Sequence, residues 1–148
     1  MNHDSIQTAD GPSYGRSLQG LGLNLLVKDV QAQAAFLEAV FAMQAIRADS
    51  SSAVMAYGPQ HFMLHVDGSY AGHPLLGVLP EFGVRGAGLE LRLYDTDPDE
   101  ALTRAQSFVE RGQASVLRGS SDRPHGLREC YILDGNGYCW VPSMRLKS

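Results

Sequence analysis

Apolar and polar residues alternate along residues 88–94, a pattern that predicts a strand with one face on a hydrophobic core. Asp97 follows where a helix N-cap belongs, and Pro98 suits the first helical position because its missing N–H is not needed there. Apolar residues then recur at helical spacing until Arg111 and Gly112, which are typical of a helix C-terminus. This stretch is therefore predicted to be a strand followed directly by a helix.

The same pattern occurs earlier in the chain. Residues 22–28 alternate in the same way, and Asp29 precedes a helical run of apolar residues. Gly22 aligns with Gly88 and Asp29 aligns with Asp95, both at an offset of 66 residues. Two strand–helix units at one offset indicate an internal duplication.

Further short strands are predicted after each helix. Gly58-Pro59-Gln60 is a turn signal in the first half, and Asp134-Gly135-Asn136-Gly137 is a strong hairpin signal in the second. The strands predicted after the helices cover residues 53–57, 61–66, 114–117, 127–133 and 138–141. Each half is therefore β-α-β-β-β or close to it.

These patterns predict an α+β fold of two tandem β-α-β-β-β modules. Two such modules can close into an open, incomplete barrel around a cavity, with the helices outside. We expect a flexible N-terminal arm, a single domain and a short tail. The boundaries are 1–19 for the arm, 20–142 for the domain (module one 20–68, linker 69–85, module two 86–142) and 143–148 for the tail.

Composition narrows the functional classes. The 148 residues carry a net charge of −4, and the basic residues do not cluster beyond residues 145–147, so we expect no nucleic-acid partner. No apolar run is long enough for a membrane span, and the first residues lack the pattern of a signal peptide. Cys130 and Cys139 are expected to be free, buried thiols in a reducing cytoplasm.

Two stretches resemble a known superfamily. They are Val27-Lys28-Asp29-Val30 at the start of the first helix and the closing run 126–138, a strand, an Asp-Gly-Asn-Gly turn and a further strand. Together with the paired modules they resemble the vicinal oxygen chelate superfamily over residues 20–142. That superfamily includes glyoxalases, extradiol dioxygenases, fosfomycin-resistance enzymes and bleomycin-resistance proteins.

The resemblance also implies where metal ligands would lie. Metal-dependent members carry His or Gln seven residues before the Asp of each helix, and Glu four residues after the turn glycine. Those positions hold Gly22, Gly88, Phe62 and Val141, none of which has a metal-binding side chain. We therefore expect neither metal nor cofactor. If the register slips by a residue or two, His65 and Glu90 are the fallback ligands.

A cavity without metal would be lined by the side chains that share strand faces with those positions. The predicted ligand-binding residues are Asn24, Phe62, Leu64, Glu90, Arg92, Cys139 and Val141. Gly22 and Gly88 would leave room for a flat ligand, although close packing or a strand kink also explains them. Glu90 and Arg92 could instead lie on an exposed sheet face or at a dimer contact.

The remaining candidates have weaker signals. Trp140 is predicted to be a core residue, and Arg128 with Glu129 is interpreted as an edge-strand ion pair. The alternation does not fix the faces of Tyr57 and Tyr131.

The resulting hypothesis is a metal-independent small-molecule binding, or sequestration, protein of the bleomycin-resistance type. The ligand would be a flat or aromatic organic compound, and the resemblance implies a cytoplasmic homodimer. One alternative is an enzyme, a divergent metal-dependent lyase or dioxygenase of the same superfamily. A second is a non-catalytic subunit with a vestigial cavity. The sequence does not identify the ligand.

Overall fold

The computed structural model describes residues 1–69, 72–80 and 83–148. The first half contains α1 (His3–Thr8), α2 (Gly11–Ser17), β1 (Asn24–Val27), α3 (Val30–Phe41), β2 (Gln44–Ala48), β3 (Ser52–Tyr57) and β4 (Gln60–Val66). The second half contains β5 (Glu90–Leu93), α4 (Pro98–Glu110), β6 (Ala114–Asp122), β7 (Leu127–Asp134) and β8 (Cys139–Arg145). Among these residues no helix is both long and apolar enough to cross a bilayer.

The strands form two four-stranded sheets with the same topology. Their orders are β1-β4-β3-β2 and β5-β8-β7-β6. In each sheet the first strand of the module runs parallel to the last, and the other neighbours are antiparallel. The α+β class and the tandem β-α-β-β-β modules are therefore confirmed. The chain divides into two compact units, Met1–Glu38 with Ala42–His73, and Ala39–Phe41 with Pro74–Ser148.

Both predicted helix starts are confirmed. The carboxylate of Asp29 accepts a hydrogen bond from the Ala32 N–H at 3.0 Å. That of Asp97 accepts from the Asp99 N–H at 2.8 Å, with Pro98 in the first turn. Each carboxylate satisfies a backbone donor that the helix itself leaves without a partner.

Several predicted boundaries are wrong. Sequence reasoning missed β2, in which Ile46 alone is fully buried, and it placed a loop where β6 continues. Strand β8 runs through Pro142, so Ser143 is a fully buried strand residue and not the start of a tail. Part of the predicted linker 69–85, residues 70, 71, 81 and 82, lies outside the described residues.

The prediction of a loose N-terminal arm is also wrong. Residues 1–17 form α1 and α2, which begin at N-caps provided by Asn2 and Asp10. Ile6 and Tyr14 are buried in one cluster with residues of the first sheet, namely Ile46, Val54 and Ala56. Burial of these two large apolar side chains outweighs the polar composition that suggested disorder.

The closing turn of module two explains why its sequence is so specific. Asp134 accepts hydrogen bonds from the N–H groups of Asn136 at 2.8 Å and Tyr138 at 3.0 Å, and from the Trp140 indole at 2.7 Å. Gly137 has a φ of 84°, and a Cβ there would lie 2.5 Å from the Cα of Val84. Only glycine fits that position. Trp140, 2% exposed, is a core residue as predicted.

Candidate functional site

One face of the second sheet carries most of the polar candidate residues. Glu90 pairs with Cys139 and Arg92 pairs with Val141 across β5 and β8. Glu129 pairs with Ser143 across β7 and β8, and paired residues of neighbouring strands point to the same side of a sheet. We call the surface of Glu90, Arg92, Glu129, Tyr131, Cys139 and Val141 the polar face.

The polar face is centred on a buried ion pair. Arg92 donates to the carboxylates of Glu129 and, at 3.2 Å, of Glu90. Burial acts to lower the pKa of Arg92, but its hydrogen bonds to Glu129 and Glu90 outweigh that and raise it. Burial likewise acts to raise the pKa of Glu129, whose side chain is 2% exposed, yet Arg92 holds it below its usual value. His125 adds a further contact, with Nε2 3.3 Å from Glu129 Oε2.

Two aromatic rings lie next to guanidinium groups in this region. The Arg118 guanidinium is 5.7 Å from the centre of the Tyr131 ring, and that of Arg92 is 5.7 Å from the centre of the Tyr94 ring. Burial raises the pKa of Tyr131, and a hydrogen bond with Glu90 raises it further. Tyr131 is therefore a neutral phenol, and its face, which the alternation did not fix, is the polar face. Tyr57 pairs with Gln60 in the other sheet.

The residues of the polar face differ in exposure. The side chains of Glu90 and Arg92 are 46% and 19% exposed, so a molecule on this face can reach them. Val141 is fully buried and Cys139 nearly so, which makes them the floor of the face. Burial also raises the pKa of the Cys139 thiol, so it remains protonated and is a poor nucleophile.

The interpretation of Arg128 and Glu129 as an ion pair is wrong. Neighbouring residues of a strand point to opposite faces. Arg128 binds Asp99 at 3.1 Å and Asp122 at 2.9 Å, whereas Glu129 binds Arg92. Arg128 thus belongs to the helix-bearing side of the sheet.

In the first sheet the predicted wall cannot exist as a single surface. Asn24 pairs with Met63 across β1 and β4, so it shares a face with Met63 and with His65. Phe62 and Leu64 alternate with those residues and lie on the opposite face, where Leu64 is fully buried. Which of these residues share a face depends on the register between the parallel strands β1 and β4. Alternation within one strand does not give that register.

The register also corrects the predicted metal positions. Leu26 pairs with His65 as Arg92 pairs with Val141, and the offset of 66 residues makes Leu26 equivalent to Arg92. His65, and not Phe62, is therefore the counterpart of Val141. Burial, with a smaller contribution from His73, lowers the pKa of His65, so its imidazole is neutral.

The remaining ligand positions do not fit a metal ion. Gly22 and Gly88 have no side chain, and Gly88 has a φ of 84°, where a histidine would be strained. No atom lies within 4 Å of a Cβ built at either glycine, so both leave open space. Within residues 1–69, 72–80 and 83–148 no three His, Cys, Asp or Glu side chains are grouped to hold a metal.

Sequence reasoning missed Glu129 and Tyr131 as site residues. The sequence does contain a signal for Glu129, because the tight turn after Asp134 fixes which residues of β7 and β8 lie opposite each other. Counting outward from the observed pair of Leu133 and Cys139 places Glu129 opposite Ser143.

Comparison with known proteins gives matches among solved structures only. No protein-family profile matches the sequence, and no curated protein does. A glyoxalase-related enzyme from Fulvimarina pelagi is 17% identical with a TM-score of 0.64, over 86% of this chain and 89% of that one. A glyoxalase/bleomycin resistance protein/dioxygenase family enzyme from Burkholderia phytofirmans PsJN is 18% identical with a TM-score of 0.64, over 84% and 96%.

A third similar structure is TioX from Micromonospora sp. ML1, 17% identical with a TM-score of 0.59, over 88% of this chain and 98% of that one. At these identities the likeness establishes the fold. The chain therefore has the fold of the glyoxalase/bleomycin resistance/dioxygenase proteins, which confirms the fold that the sequence resemblance implied.

Proposed function

We propose that this chain is a small-molecule binding protein, that its ligand lies on the polar face of the second sheet, and that no metal takes part. The observation that carries the proposal is the group of Arg92, Glu90, Glu129 and Tyr131. It combines a buried ion pair, an accessible carboxylate and a phenol on one face. A few converging polar groups over an apolar floor are typical of ligand sites.

The charges of this group indicate the ligand class. Arg92 lies between the two carboxylates, Arg118 beside Tyr131 carries a second positive charge, and Glu90 is the more exposed of the two carboxylates. The rings of Tyr94 and Tyr131 can stack on a flat molecule, and Gly88 leaves open space before the start of β5. We therefore propose a flat or aromatic organic ligand that is neutral or cationic and donates hydrogen bonds to Glu90.

The absence of metal donors at Gly22, Gly88 and Val141 supports a metal-independent binder over a lyase or dioxygenase. The test is the metal content of protein purified without chelator, followed by thermal unfolding with added Zn²⁺, Ni²⁺, Mn²⁺ and Fe²⁺. We expect no stoichiometric metal and no rise in the melting temperature. One tightly held metal per chain, lost in His65→Ala or Glu90→Ala, would overturn metal independence and favour the enzyme.

Ligand binding is tested with two flat aromatic dyes of opposite charge, the cationic proflavine and the anionic anilinonaphthalene sulfonate. We expect saturable binding of proflavine that Glu90→Gln weakens several-fold, because the substitution removes the accessible negative charge. Glu100→Gln, an exposed glutamate on α4, is the matched control and should leave the affinity unchanged. Equal effects of the two substitutions would contradict the site, and a vestigial cavity would bind neither dye.

Two further parts of the proposal are that the protein is a homodimer and acts in the cytoplasm. Leu21 and Leu117 are 96% and 60% exposed, and a second copy could cover them. The buried Cys130 and Cys139 are free thiols, which suits a reducing compartment. Sedimentation equilibrium of the same preparation gives the oligomeric state.

A further inference from the structure

The N-terminal helices cover the part of the first sheet that carries Val54 and Ala56. Ile6 and Tyr14 pack on Val54 and Ala56, and Met63 lies against the same cluster. Because Val54 pairs with Met63, and Met63 with Asn24, this is one continuous side of the sheet. We call it the arm face, and residues 1–17 the arm.

A pair of histidines lies where the arm meets the sheet. The rings of His3 in α1 and His61 in β4 are 5.4 Å apart between centres and meet edge to face at 67°. They border a depression of about 400 Å³ that is lined by residues 1–4, Pro59 and His61. The contact joins the arm to the arm face directly, because His61 alternates with Met63 on β4.

The surroundings of His61 suit a neutral ring. Its Nε2 is buried and has no hydrogen-bond partner in the described part of the chain, so a proton there would lack an acceptor. Burial, then His3, then the α-amino group of Met1 lower the pKa of His61. Asp4 is the one acidic side chain that borders the depression, and Ala56, opposite His61 on β3, carries no charge.

The other contacts of the arm are less sensitive to mild acid. The Arg47 guanidinium donates to the Ala9 carbonyl. Hydrogen bonds from Ser13, and more weakly the charge of Arg47, hold the pKa of Asp10 below its usual value, so that carboxylate stays ionised. Burial, and more weakly the neighbouring His73, lower the pKa of His65, which lies further along the arm face.

We propose that the arm is an acid-released cover of the arm face, and that protonation of His61, in contact with His3, detaches it. A proton on the buried Nε2 of His61 would lack an acceptor and would place a positive charge against the His3 ring. Because the docked state disfavours the proton on His61, docking is strongest above the ordinary histidine pKa of 6.5 and weakens as the pH falls through it. Release exposes Val54 and Ala56, which the arm buries, and Met63 beside them. This inference does not depend on the ligand proposed for the polar face.

The test is hydrogen–deuterium exchange of the full chain at about pH 7.5 and about pH 5, the range in which histidine titrates. Rates are corrected for the intrinsic dependence of exchange on pH. We expect amides of residues 3–17 to lose protection several-fold at the lower pH, while amides of β3 and β4 keep theirs. Unchanged protection of the arm would overturn the proposal, and so would a parallel loss in β3 and β4, which indicates global unfolding.

The matched variant is His3→Phe with His61→Phe, which keeps two packed rings but removes the titrating nitrogens. We expect its arm to stay protected at both pH values, and loss of protection equal to that of the natural chain would overturn the role of the histidines. The single substitution His61→Phe answers the same question if the double variant does not fold. His125→Gln, a histidine of the other module, is the control and should behave as the natural chain.

Discussion

The two modules share one topology but use equivalent sheet faces in opposite ways. The arm face of module one is covered by α1 and α2 through an apolar cluster around Ile6 and Tyr14. The polar face of module two instead carries the ion pair of Arg92 and Glu129. A duplicated backbone therefore specifies the strand order, and side chains at a few positions of each face decide whether that face is packed or polar.

The difference can be traced to equivalent positions of the first strand. Asn24 and Leu26 of β1 correspond to Glu90 and Arg92 of β5 at the offset of 66 residues. A leucine can be buried by an apolar partner alone, whereas a buried arginine requires carboxylates. In module two the carboxylate comes from Glu129 on its own strand β7. In module one the apolar cover comes from the arm, which precedes the repeated unit.

The largest effect is expected from breaking the ion pair of the polar face. Arg92→Met leaves Glu129 charged and buried, so we expect the free energy of unfolding at neutral pH to fall by about 3 kcal/mol. Arg92 holds the pKa of Glu129 below the ordinary value of 4.5, so this contribution is present above 4.5 and is lost as the pH falls below it. Urea unfolding followed by the fluorescence of Trp140, the single tryptophan, measures both effects.

Arg128→Met is the matched control for this prediction. Arg128 also has two carboxylate partners, but its side chain and theirs are exposed, so water replaces much of what is lost. Its loss of stability should be much smaller. Two results would show that the ion pair of Arg92 and Glu129 is not the centre of the polar face. One is an equal loss of unfolding free energy in Arg92→Met and Arg128→Met, and the other is a loss in Arg92→Met that persists in acid.

The sequence predicts the strands, helix starts and turns of both modules that depend on local periodicity. The alternation at 88–94 and the caps at Asp29 and Asp97 depend on neighbouring residues, and the structure confirms the strand–helix units that they predict. The Asp134 turn is likewise local. The fold class could therefore be predicted with few errors.

The faces of the site depend on register between strands, which periodicity within a strand cannot give. Counting from Gly58 predicts Phe62 on the same face as Asn24, whereas the parallel pairing of β1 with β4 puts Met63 there. Alternation along β7 puts Arg128 and Glu129 on opposite faces, and Glu129 pairs with Arg92. The arm was missed because its helices are short and its polar composition hides Ile6, even though Asn2 and Asp10 are recognisable caps.

A smaller effect is expected from weakening the cover of the arm face. Ile6 is 1% exposed, and Ile6→Ala removes most of its side chain from the cluster, so we expect the opening free energy of the arm to fall by about 2 kcal/mol. Exchange of the amides of residues 3–17 should then be roughly thirtyfold faster, since about 1.4 kcal/mol is a factor of ten. Unfolding monitored at Trp140 should be unchanged.

Val78→Ala is the control for the arm, because Val78 is 76% exposed and lies outside the arm, so its truncation removes little packing. If Ile6→Ala lowered the stability reported by Trp140 as strongly as it accelerates exchange, the arm would be part of the core of the whole chain. The arm would then not be a separate cover of the first sheet, which would contradict the difference proposed between the two modules.

The smallest effect concerns the ends of the two module helices, which solve the same geometric problem with different residues. Ala42 ends α3 with a φ of 55°, the left-handed conformation that glycine adopts at Gly112 after α4, where φ is 73°. Ala42→Gly should raise the free energy of unfolding and Gly112→Ala should lower it, each by roughly 1 kcal/mol, because Cβ is strained in this conformation. Ala42 is exposed and a Cβ at Gly112 meets no atom within 4 Å, so packing does not obscure the comparison.

Urea unfolding of both variants measures these changes in the free energy of unfolding. A loss of stability in Ala42→Gly would mean that the entropy of the unfolded glycine exceeds the relieved strain and that alanine is the better cap for module one.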